Sequence, residues 1–154
     1  MAVSAAICIA NVSCNANSRK TKESVTDTST EVSTDKIPYQ VVNGYFINND
    51  IDEVPEVVTD QTEFTKCFGI AATMGDNEKP TDIDFDKQFV IVASAPVTYM
   101  TTEMTPVSLE KTKEGLVFTC KMTQGEKQTY STHPFLMIAV DNKNQMPVTV
   151  KIMK

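Results

Sequence analysis

From Ile37 onward the apolar residues fall in short groups separated by polar turns. Tyr39, Val41, Tyr45 and Ile47 sit at even spacing, the period expected of a half-buried strand over Tyr39 to Ile47. Asp50 to Val58 contains Pro55 and several acids and reads as a connecting loop. Near Asp60 the period changes. Asp60 can accept from the free N–H groups of a first helical turn, and Glu63 follows where a capping box needs it. Phe64, Cys67, Phe68 and Ala71 then make one stripe at i, i+3, i+4 and i+7. This spacing predicts a single helix over residues 60–72, weakened by Gly69 and stopped by Gly75.

The remainder reads as strand. Gln88 to Ala95 (QFVIVASA) and Phe135 to Val140 (FLMIAV) are nearly continuous apolar runs, fit for strands covered on both faces. Between them, Val107 and Leu109 alternate with Ser108 and Glu110, Lys113 to Gly115 gives a turn, and Leu116, Phe118, Cys120 and Met122 line one face. Gln124 to Lys127 reads as another turn and Asp141 to Asn144 as a third, after which Val148, Val150 and Ile152 alternate. Short turns favour antiparallel neighbours, because parallel ones need long crossovers. The pattern therefore predicts an α+β domain: an antiparallel meander of about 6–7 strands with one helix packed on it.

The first residues differ in kind. Met1 to Ala10 (MAVSAAICIA) is small and apolar throughout, like the second half of a secretory signal. A basic leading region is missing, which fits Met1 being an internal methionine of a slightly longer reading frame. Val12-Ser13-Cys14 is similar to the end of a bacterial lipobox, in which the cysteine is acylated after cleavage. Asn11 stands where an aliphatic residue is usual. Lipidation at Cys14 and plain cleavage after Ala16 are the two processing routes, giving a membrane-anchored lipoprotein facing the periplasm or cell surface, or a soluble secreted protein. Residues 15–36 are rich in Ser, Thr and charge, with Val25 and Val32 the only branched apolar side chains, so they read as a disordered linker. The expected organisation is a signal and lipobox-like segment over 1–14, a linker over 15–36 and one domain over 37–154.

Composition narrows the function. Lys and Arg number 14 against 20 Asp and Glu, a formal net charge of −6, which speaks against nucleic acid as a partner. Arg19 is the sole arginine and precedes the domain, Trp is absent, and His133 is the sole histidine. Zinc is disfavoured, because a site needs three or four clustered ligands. Asp82, Asp84 and Asp86 alternate, so in a strand they would share a face opposite Ile83 and Phe85. That makes them a weak calcium candidate, although Lys87 and Ala93 occupy the positions where an EF-hand loop places glycine and glutamate. Cys67 and Cys120 have two readings. One is a disulfide closing a loop of about 50 residues, worth about 2–4 kcal/mol; the other is two separate buried thiols. A nucleophilic pair with His133 would need an accessible, electropositive thiol, unlike the Phe- and Met-rich surroundings of both cysteines. Tyr99, Met100 and Met104 interrupt a Thr-rich stretch from Ala95 to Pro106, outside any alternation, and read as a loop offering a protein-contact surface.

Taken together, the TDQTEF helix start (Thr59 to Phe64), DFDKQFVIV (Asp84 to Val92) and a meander ending in HPFLMIAV resemble the C-terminal domain of the PrcB family of bacterial protease-complex subunits, as found in short exported lipoproteins. The resemblance spans roughly Ile37 to Lys154. Members often carry a Pro-Thr-Gly-Gly-Tyr turn; here Ala95-Pro96-Val97-Thr98-Tyr99 keeps the proline, threonine and tyrosine but no glycine pair. The resemblance implies a non-catalytic accessory of the cell envelope, without cofactor, that stabilises or restrains a protease through protein–protein contact. A peptide- or glycan-binding module is the alternative, with Tyr39, Tyr45, Tyr99 and Tyr130 as its candidate aromatic surface. A hydrolase built on His133 or paired carboxylates is the third class.

Overall fold

A computed structural model describes residues 35–51, 53–71 and 79–154. The expected signal segment, Cys14 and nearly all of the expected linker lie outside the described residues, as does Gly75. Short strands open the domain: β1 (Asp35–Lys36), β2 (Gln40–Val42), β3 (Tyr45–Ile47) and β4 (Val57–Val58). Helix α1 (Gln61–Cys67) follows and runs directly into β5 (Phe68–Ile70). Five longer strands complete it: β6 (Gln88–Ser94), β7 (Thr98–Lys111), β8 (Leu116–Thr132), β9 (Phe135–Asp141) and β10 (Val148–Met153). The α+β class holds, with strand predominating and α1 the one α-helix among the described residues.

The strands do not form one meander. They divide into a sheet ordered β1-β7-β8-β10, a second ordered β2-β9-β6-β4, and a small pair β3-β5. The chain passes from β6 in the second sheet to β7 and β8 in the first, back to β9, and again to β10. β10 consequently lies parallel to β8, with Val148 beside Leu116 and Ile152 beside Cys120. The rule that short connections make antiparallel neighbours applies within one sheet. Here Asn142 to Pro147 crosses between sheets, so it does not apply.

The second sheet is the middle layer. Phe89, Ile91 and Ala93 of β6 and Leu136, Ile138 and Val140 of β9 face the first sheet, meeting Leu109, Leu116 and Phe118. The alternate residues Val90, Val92, Met137 and Ala139 face the other way, against Val58, Phe64 and Phe68. Burial on both faces is what the two apolar runs predict. β6 and β9 pair antiparallel along their whole length, from Gln88 opposite Asp141 to Ser94 opposite Phe135.

The helix is shorter than its stripe suggests. Asp60 caps it, its side chain accepting from the Glu63 N–H at 2.9 Å. Phe64, Cys67 and Phe68 are buried as expected, but Phe68 already belongs to β5. The side-chain amide of Asn48 donates to the Lys66 carbonyl at 2.8 Å, satisfying an orphan acceptor at the helix end. At Gly69 a Cβ would lie 2.5 Å from the Phe46 ring, so glycine lets β3 and β5 pair at this point. Phe64 anchors an aromatic cluster, with ring centroids 5.0 Å from Tyr45, 5.1 Å from Phe68 and 5.5 Å from Phe85.

Gly115 ends the β7–β8 turn with φ +149°, and a Cβ there would strike the Pro147 carbonyl oxygen. Gly125, inside β8, has ordinary φ, and the nearest heavy atom to a Cβ there is 3.5 Å away. Gly115→Ala is therefore expected to lower unfolding stability by about 2 kcal/mol or more, through strain and overpacking. Gly125→Ala is expected to change it by less than about 1 kcal/mol. Urea titration of both variants checks the contrast; equal losses would contradict it.

Candidate functional site

The stretch read as a loop from Ala95 to Pro106 is strand from Thr98 onward. β7 and β8 form one long hairpin, turning at Thr112 to Gly115, and its two halves differ in support. Near the turn, β1 flanks β7 at Glu110 and Lys111, and β10 flanks β8 from Leu116 to Lys121. Beyond, Thr98 to Ser108 and Met122 to Thr132 pair only with each other among the described residues. Gln124 to Lys127, expected as a turn, lies within β8. β8 carries extra residues there: Thr102 stands opposite Gln124, Met100 opposite Lys127 and Thr98 opposite Thr132. Bulges absorb the surplus without breaking the strand.

This far half holds the residues read as a contact surface, although not on one face. Along β7 exposure alternates, with Tyr99, Thr101, Glu103 and Thr105 outward and Met100, Thr102 and Met104 half-buried. Met104 packs against the core between the sheets, opposite Met122. Tyr99 is 56% exposed, and Tyr130 on the other strand and Val97 just before β7 are 62% and 61% exposed. The sequence offers Tyr130 only as a candidate ligand-binding aromatic residue, and the apparent turn at Gln124 to Lys127 hides that it shares one hairpin with Tyr99.

The half-buried side of the ribbon borders an open groove of about 370 Å³, lined by Thr102, Met104, Tyr130, His133 and Phe135 among others. A second groove of about 340 Å³, lined by Asn48, Ile51 and Val97, meets the first at Thr132 and His133. His133 is thus at the strand entrance before β9, where the sequence puts it, and neither cysteine lines either groove.

Cys67 and Cys120 are both free and buried, and they occupy different layers. Cys67 packs between α1 and the middle sheet, and Cys120 between the two large sheets. Of the two readings, separate buried thiols is the arrangement present. Burial pushes both thiols up from their ordinary pKa, with Glu63 adding to the effect at Cys67. That favours the unreactive protonated form.

The acidic stretch forms no strand and turns at Phe85 to Lys87. Ile83 and Phe85 do pack into the core, leaving Asp82, Asp84 and Asp86 exposed. Asp84 is committed locally: it accepts from the Asp86 N–H at 3.1 Å and from Lys87 Nζ at 2.6 Å. Among the described residues no three His, Cys, Asp or Glu side chains come together as metal ligands. The hydrogen bond from Lys87 holds the Asp84 carboxyl below the ordinary range and raises the Lys87 ammonium above its own.

Because the folded-state pKa of Asp84 is depressed, its contribution is present above the ordinary carboxylate range and is lost as pH falls through the folded value. Both groups are exposed, so the effect on stability is small. NMR titration of Asp84 is expected to show the depressed midpoint and its upward return in Lys87→Met; an unchanged midpoint would contradict the pairing. For the thiols, labelling without reductant, read residue by residue by mass spectrometry, is expected to be slow in the folded protein. Cys67, 6% exposed, should react before Cys120, 0% exposed, and both should react fully in denaturant. Resistance in denaturant until reduction would instead show a disulfide. No family model, curated protein or solved structure matches this chain.

Proposed function

We propose that this chain is a non-catalytic accessory protein of the bacterial cell envelope, exported and held by a lipid on Cys14, which works through protein–protein contact. The observation that carries this reading is the far half of the β7–β8 hairpin, where Tyr99 and Tyr130 stand exposed on a ribbon that no third strand flanks among the described residues. Two-stranded ribbons are marginally stable in water, and exposed aromatic side chains are enriched at contact surfaces. The resemblance to the PrcB family supports an envelope protease as the partner, stabilised or restrained by docking. The net charge of −6 favours a partner whose facing surface is basic.

The groove at Met104, Tyr130, His133 and Phe135 favours a second reading, a peptide or glycan held beside the ribbon. The two readings separate on Tyr99, since Tyr130 lines the groove. Tyr99 lines neither groove, so its loss should spare a groove-bound ligand and weaken a docked protein.

Tyr99→Ala is expected to weaken capture of the partner from native envelopes by at least about tenfold, with Tyr130→Ala weakening it further. Unfolding stability should stay within about 0.5 kcal/mol of the parent, as for other surface substitutions. Undiminished capture would remove the proposed surface, and a large loss of stability would assign the tyrosines to the fold.

A further inference from the structure

The outer edge of β7 carries its own guard. Pro106 stands opposite Cys120, and the next pair in register is Ser108 with Thr119, which leaves Val107 as the extra residue of a bulge. Proline has no N–H, and it is tolerated in a ladder where its nitrogen faces away from the paired strand. Backbone groups alternate sides along a strand, so those of Met104, Thr102 and Met100 also face away from β8. Past the bulge the alternation resets, and on this same side the Leu109 carbonyl accepts from the Ile37 N–H at 2.9 Å. From Met100 to Pro106 no strand lies along that side among the described residues.

An edge of this kind is a template for another strand, and natural proteins commonly blunt such edges with lysine. None lies between Thr98 and Glu110. Charge would not prevent pairing with a second copy either. Two antiparallel copies centred on Thr102 would set Met100 against Met104 and Thr101 against Glu103, with no like charges opposed.

Three local features close the edge instead. The Met100 N–H donates to Thr98 Oγ1 at 3.1 Å, and its carbonyl accepts from Thr102 Oγ1 at 3.0 Å, so this residue's edge groups are already engaged. Pro106 offers a carbonyl without a donor. The bulge at Val107 twists the strand beyond it. Between Met100 and Pro106, only Thr102 and Met104 then present a full outward backbone pair. We propose that Thr98, Thr102, Pro106 and the bulge form a guard that stops β7 from adding a strand, in particular the β7 of a second copy. Contact at the ribbon is thereby left to side chains. The inference stands whether or not the proposed envelope function does.

The test uses the full chain with Thr98→Val and Thr102→Val, which keep the β-branched shape while releasing the edge groups, and Pro106→Val, which restores a donor. A matched control carries Thr105→Val, Thr123→Val and Thr149→Val, all exposed and none taking part in the guard's hydrogen bonds. Sedimentation velocity over a wide concentration range is expected to show self-association of the guard variant at least about tenfold tighter than parent or control. Hydrogen exchange should show new protection at the Thr102 and Met104 amides in the associated form. Pro106→Val alone restores one outward donor without touching a ladder bond. It should shift association in the same direction by less, and it decides the matter if the triple variant does not fold. A folded variant that associates no more than the control would overturn the proposal, as would association without that protection. A parent chain that already pairs through these amides would overturn it as well.

Discussion

Everything in this domain depends on the β6–β9 ladder being covered twice. Its residues alternate between two separate cores, so each strand contributes apolar area to both sides without a solvent face. Fully burying a Val, Leu, Ile, Met or Phe side chain contributes about 1.5–3 kcal/mol, and these two strands hold eight of the 22 buried hydrophobic residues among those described, besides Ala93 and Ala139. The long-hairpin sheet covers one side and the helix with the short strands covers the other. Without the central pair neither outer layer has anything to bury its apolar face against.

That arrangement also determines where support runs out. The hairpin is anchored where β1 and β10 flank it and where its inner face meets Phe89, Ile91 and Ile138. Toward Thr98 and Thr132 it outlasts its flanking strands, and its residues change accordingly from Leu109, Phe118 and Cys120 to threonine, glutamine and exposed tyrosine. The same loss of backing leaves aromatic surface available for contact and strand edge in need of protection. Side-chain hydroxyls, a proline and a bulge meet the second need, while Tyr99 and Tyr130 stand in the first.

The sequence was legible where a core stood behind it. QFVIVASA and FLMIAV are read correctly as doubly covered strands, Asp60 as a cap, and Phe64, Cys67 and Phe68 as one buried stripe. Residues 98–106 were not legible as strand, because their exposure alternates but threonine stands on both faces, so the apolar pattern is weak. Gln124 to Lys127 looked like a turn because glycine between polar neighbours usually is one; here the glycine sits in a strand with surplus residues taken up by bulges. The division into layers and the parallel placement of β10 were also hidden, since periodicity reports which face is buried and not which sheet a strand joins. At the candidate site, Tyr99 could be picked from composition, whereas Tyr130 needed the hairpin register to join it.

Native-state hydrogen exchange tests this division most directly. Amides of Phe89 to Ala93 and Leu136 to Val140 should exchange only through global unfolding, while those of Tyr99 to Thr105 and Thr123 to Ser131 should open locally at much lower free energy. Equal protection in the far ribbon and the central ladder would contradict the account.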